Sequence, residues 1–105
     1  MDDSDVLHLA EDPYKDMPQR VELFSWQDAH KLVGCRIVLK RRFWTKEPGI
    51  VGIVRLAIGH PQMRGCVVSV SLGSTVGEPP KHVSAMLFDK TMLEFFADIL
   101  DEDRT

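Results

Sequence analysis

The sequence predicts one small α+β domain, built on a small antiparallel sheet or a partly open SH3-like barrel of about four strands. Three short segments with strand-like patterns follow one another over residues 35–44, 50–58 and 66–72 with only turns between them, which is typical of an antiparallel meander. Helical patterns flank them: a short one before the first strand and an amphipathic one at the C-terminus. The 105 residues suffice for one domain of this kind.

An acidic N-terminal arm is expected over residues 1–20, ahead of a single globular domain over residues 21–105. The first sixteen residues hold six acidic side chains and one basic side chain, and Pro13 and Pro18 interrupt the segment. Such a composition offers little apolar surface for burial. The arm is therefore expected either to be disordered or to dock as a short segment.

A short helix is expected directly after the arm. Ser25 is a favourable N-cap, and Gly34 is placed to end the helix in the left-handed conformation. Between them, four apolar residues recur at spacings that put them on one helical face: Trp26, Ala29, Leu32 and Val33.

The first strand is predicted over residues 35–44, where the side chains alternate between two faces. One face is apolar apart from Arg41: Cys35, Ile37, Leu39 and Phe43. The other face is mostly basic: Arg36, Val38, Lys40, Arg42 and Trp44. Pro48 and Gly49 predict a type II turn. Residues 50–58 are apolar on both faces apart from Gly52 and Arg55, which predicts the central strand of the sheet, with a bulge at Gly52.

The second half of the chain predicts two more strands and a helix. Strands are expected over residues 66–72, with both serines facing outward, and over residues 83–88. The glycines and prolines of residues 73–81 predict a loop between these strands. Thr91 and Glu94 match a capping box at the start of the C-terminal helix. Five apolar residues then form the stripe that this helix is expected to bury: Met92, Phe95, Phe96, Ile99 and Leu100.

The clearest functional candidate is a basic strand face, made of Arg36, Lys40, Arg42 and Trp44. It lies in a stretch, residues 31–64, that carries eight basic side chains and one acidic side chain. Side chains two apart on a strand lie about 6.6 Å apart, close to the phosphate spacing along a nucleic-acid strand, and Trp44 is placed to stack on a base. Two other interpretations stay open: an ordinary solvated face, or a face onto which the acidic arm folds back.

We expect no catalytic centre, metal site or cofactor. Cys35 and Cys66 each open an apolar run, which is typical of small buried thiols. The four histidines are too scattered to pair as metal ligands, and the glycine loop at residues 73–77 lacks the Gly-Lys-Ser/Thr ending of a phosphate-binding loop. The acidic start is unlike a secretory signal and no segment has the length of a bilayer span, so a cytoplasmic location is expected.

These observations favour a small non-enzymatic protein-binding module, acting as an adaptor, subunit or inhibitor. Small size and acidic ends suit docking on a macromolecular partner, and small inhibitors encoded by mobile genetic elements share this character. The alternative is a small barrel that binds nucleic acid through the basic strand face. A protein partner is favoured because the net charge of -3 and the acidic ends disfavour phosphate groups.

Overall fold

The computed structural model describes residues 12–81 and 85–100. In this part of the chain, the elements are α1 (Trp26–Leu32), β1 (Arg36–Leu39), β2 (Ile50–Gly59), β3 (Cys66–Val76), β4 (Ala85–Phe88), α2 (Lys90–Phe96) and β5 (Ala97–Ile99). The two helices accompany one antiparallel sheet with the strand order β4-β3-β2-β1-β5. The predicted α+β class, antiparallel sheet and flanking helices are confirmed, and the strand predicted to be central, β2, lies in the middle. No helix in the described ranges has the length and apolar character needed to cross a membrane.

The hydrophobic core lies on the inner face of the sheet. The apolar side predicted for the first strand is confirmed, since its members are at most 4% exposed: Cys35, Ile37, Leu39 and Phe43. The other strands add fully buried residues, and each helix adds its own: Val54, Val68, Val70, Phe88, Ala29 and Phe96. Because every element contributes to one cluster, the described residues share a single core.

The local signals before and after β1 act as predicted. Ser25 caps α1, its hydroxyl accepting a hydrogen bond from the Asp28 N–H at 3.1 Å. Gly34 follows the helix with φ +90°, a left-handed conformation that glycine adopts without steric cost. Gly49 has φ +96° and the Ile50 N–H bonds to the Glu47 carbonyl, which confirms the type II turn.

Strand β3 is longer than predicted, because residues 73–76 continue the strand and are not part of the loop. A glycine is needed within it, since a Cβ at Gly73 would lie 2.3 Å from the Glu78 carbonyl oxygen. The β2–β3 register shifts between Ile50 and Gly52, but the two extra residues lie on β3, because Ile50 pairs with Val76 and Gly52 pairs with Leu72. The irregularity therefore falls at residues 73–75, opposite Gly52, and the bulge predicted at Gly52 itself is wrong. Strand β4 begins at Ala85 in the described residues, and residues 83 and 84 of its predicted span lie outside them, as do residues 1–11 of the predicted arm.

The C-terminal helix differs from its prediction at both ends. Asp89 is the N-cap, accepting a hydrogen bond from the Met92 N–H at 2.8 Å, so Thr91 lies inside the helix and is not the cap. The helix ends at Phe96, and Ala97–Ile99 forms the fifth strand, β5, which pairs with β1. The outer edge of β1 needs backbone partners, and β5 supplies them, which outweighs the helical pattern of the sequence.

Candidate functional site

The structure separates the four residues of the predicted basic strand face. Only Arg36 lies within β1, which ends at Leu39, whereas Lys40, Arg42 and Trp44 lie in the connection to β2. The prediction that they share one strand face is therefore wrong. The physical reason is that Phe43 and Lys46 exchange backbone hydrogen bonds with each other, which folds the connection into a turn of its own.

The basic side chains of this connection interact with separate groups of the protein. The Lys40 Nζ lies 3.6 Å from the Asp98 carboxylate, and both side chains are exposed. The Arg41 guanidinium lies 4.3 Å above the centre of the Phe95 ring. The Arg42 Nε donates to the Trp44 carbonyl oxygen at 3.2 Å. The three cations are thus held by three different groups, the Asp98 carboxylate, the Phe95 ring and the Trp44 carbonyl, and not by one continuous strand.

The connection is organised around a two-residue turn, which we call the Trp44 turn (residues 43–46). Its two closing hydrogen bonds, between the backbones of Phe43 and Lys46, are both 2.9 Å long. Trp44 occupies the first central position with φ +55°, the one non-glycine residue with positive φ in the described chain. Two-residue hairpin turns usually place Gly, Asn or Asp at such a position. The Trp44 side chain is nevertheless 46% exposed.

The Trp44 turn is fixed to the body of the protein at several points. Phe43 is 2% exposed and packs edge-on against Phe96 at 4.9 Å between ring centres. Lys46 Nζ donates to the Gly73 carbonyl at 3.1 Å, which ties the turn to β3. The ring of Tyr14, from the N-terminal segment, stands edge-on to Trp44 at 5.9 Å. The segment around Tyr14 therefore docks beside the turn, one of the arrangements considered for the arm.

Charged side chains of both signs lie in and around the connection that carries Trp44. Arg41 lies over the Phe95 ring, Asp98 pairs with Lys40, and Asp12 accepts a hydrogen bond from the Tyr14 N–H. In the described ranges, no three His, Cys, Asp or Glu side chains lie close enough together to hold a metal ion. Cys35 and Cys66 are both buried, as predicted, and form no disulfide.

Sequence reasoning missed two features of this site. The turn was hidden because Trp-Thr carries none of the glycine or asparagine signals of a hairpin turn. Arg41 was treated as an interruption of the buried face, whereas it lies on the surface over Phe95. The one signal for this region in the sequence is a tryptophan, Trp44, that closely follows the basic residues 40–42.

Comparison of the chain with protein-family models, with curated protein sequences and with solved structures finds no significant match.

Proposed function

We propose that this protein is a non-enzymatic protein-binding module that uses the Trp44 turn as its anchor on a partner protein. The observation that carries the proposal is the exposed Trp44 side chain on a backbone with φ +55°. A left-handed conformation costs a non-glycine residue about 1–2 kcal/mol. Strained residues of this kind cluster at functional sites, where the strain is tolerated because the side chain is used.

The residue types at the turn support a protein partner. Tryptophan, tyrosine and arginine are the types most enriched among residues that dominate binding energy at protein interfaces, and Trp44, Tyr14 and Arg42 lie together here. The turn is also held in place before binding, by Phe43 in the core and by Lys46 on β3. Such preorganisation lowers the entropic cost of association.

Charge favours protein over nucleic acid at this site. Lys40 is paired with Asp98, and the docked segment brings Asp12 close to Tyr14. These carboxylates oppose a phosphate backbone, and the chain as a whole carries a net charge of -3. Nucleic-acid binding through Arg36, Lys40, Arg42 and Trp44 is the alternative that the experiments below distinguish.

The proposal includes a cytoplasmic site of action as an adaptor, subunit or inhibitor. Cys35 and Cys66 are unpaired thiols, which is compatible with a reducing compartment. The acidic ends of the chain would add electrostatic attraction to a basic partner and so raise the association rate.

Site-specific photo-crosslinking in the cells that make the protein tests the proposal. Benzoylphenylalanine at Thr45, the exposed neighbour of Trp44, should capture a discrete protein. The matched control places the same group at Gln27, the exposed neighbour of the exposed Trp26 on α1, and should not capture it. Nuclease-sensitive adducts at Thr45 would favour the nucleic-acid alternative, and identical adducts at both positions would contradict the proposal.

A further inference from the structure

A second surface, on the side of the sheet opposite the core, arises from an irregularity in β2. We call it the outer sheet face (Arg55, Leu56, Ile58, Val67, Ser69, Ser71, Ala85 and Leu87). Val54 pairs with Val70, and Leu56 pairs with the next residue of β3, Ser69. Arg55 is therefore an extra residue of β2 that faces no residue of β3 in the strand register. Val54 is fully buried, but Leu56 and Ile58 are 59% and 38% exposed. The bulge therefore turns Leu56 and Ile58 outward, where a regular strand would have turned them inward.

The outer sheet face forms an apolar furrow. Leu56, Ser69 and Leu87 lie in one row across β2, β3 and β4. Strands lie about 4.8 Å apart, so the two leucines stand about 10 Å from each other with a small serine between them. Leu87 is 55% exposed whereas Ser69 is 4% exposed, which places the serine at the floor of the furrow. This spacing separates the two leucine backbones, so the space left between their side chains admits one row of side chains, and the body of an α-helix, about 10–12 Å across, would rest on the leucines.

The charge beside the furrow determines what fits it. Arg55 is exposed, and its Nε donates to the Ser71 hydroxyl at 3.3 Å along the furrow. Strands β2, β3 and β4 contain no acidic residue. A second copy stacked on this face would therefore bring no carboxylate from these strands to Arg55, and burying a cation without a carboxylate partner is costly. A ligand that supplies its own carboxylate avoids this cost.

We propose that the outer sheet face is a second docking site, which binds an amphipathic helix of a partner protein. The apolar residues of that helix would lie in the furrow between Leu56 and Leu87, and a Glu or Asp side chain would pair with Arg55. The site is separate from the Trp44 turn, and its test does not depend on that turn. With both sites in use, the protein bridges two partner surfaces.

A displayed library of 16-residue helical peptides tests this proposal, selected on the native protein and counter-selected on the variant Leu56→Ser/Leu87→Ser. Enriched peptides should carry apolar residues at spacings of three and four together with a carboxylate, and their affinity should fall at least tenfold in the double variant. Arg55→Glu should change the preference from acidic to basic peptides. Val21→Ser is the matched control because Val21 is as exposed as Leu56, at 59%, and it should leave binding unchanged.

Several outcomes would overturn the proposal. These are the absence of peptides that discriminate against the double variant, enrichment with no preference for acidic residues, or loss of binding in Trp44→Ala. Sedimentation equilibrium tests whether a second copy of the chain covers the outer sheet face instead. A dimer of the native protein that Leu56→Ser abolishes would assign the face to that second copy and refute the proposal of a partner helix. Circular dichroism of each variant checks that it is folded, which we expect because both leucines are more than half exposed.

Discussion

Replacing Trp44 with alanine and with glycine separates the cost of its backbone from the value of its side chain. Trp44 is about half buried, so either change removes roughly 100 Å² of buried apolar surface. This loss alone should lower the free energy of unfolding by about 2.5 kcal/mol. The left-handed backbone costs alanine about 1–2 kcal/mol and costs glycine nothing, while glycine loses about 0.5–1 kcal/mol in chain entropy. Trp44→Gly should therefore be more stable than Trp44→Ala, by about 0.75 kcal/mol at the middle of these ranges and by about 1.5 kcal/mol at most.

Trp26 provides the matched control for this comparison. It is 53% exposed and begins α1 with an ordinary negative φ. At this position the order should reverse, with Trp26→Ala more stable than Trp26→Gly. Urea denaturation of the four variants measures both differences. If Trp44→Ala is as stable as Trp44→Gly or more stable, the backbone at position 44 is not strained, and strain no longer supports a functional role for Trp44.

Three further predictions concern the core, the thiols and one exposed ion pair. Phe96→Ala should lower the free energy of unfolding by about 3–5 kcal/mol, and Phe95→Ala by clearly less, because only Phe96 is fully buried; equal losses in denaturant would contradict this packing. Both buried cysteines should react with a thiol reagent only as the protein unfolds, and rapid labelling of the native protein would show otherwise. The hydrogen bond from Lys81 holds the pKa of Glu78 below its ordinary value, so Lys81→Ala should raise that pKa in an NMR titration, whereas an unchanged pKa would exclude the pair in solution.

The features that could be predicted from the sequence are those with strong local chemistry. Ser25 and Gly49 determine a helix start and a turn within a few residues of themselves, so their patterns suffice. The alternation over β1 identified the buried residues correctly even though the strand stops at Leu39, because Phe43 continues into the core from the Trp44 turn.

The features that escaped prediction depend on partners distant in sequence. Ala97–Ile99 reads as the end of a helix and becomes a strand only because β1 has an open edge beside it. The bulge at Arg55, which exposes Leu56, follows from the register with β3 and has no signal in the composition of β2. The basic strand face was predicted on the assumption that β1 continues to Trp44, and the assumption failed where the local turn began.

The most direct test of the Trp44 turn as a protein-binding anchor is the affinity of the crosslinked partner, once purified, for Trp44→Ala and Trp26→Ala. Truncating a residue that dominates an interface costs 2 kcal/mol or more, which corresponds to a loss of about 30-fold. Isothermal titration calorimetry should therefore show at least about 30-fold weaker binding for Trp44→Ala and native affinity for Trp26→Ala. Equal affinities for the two variants would contradict the account.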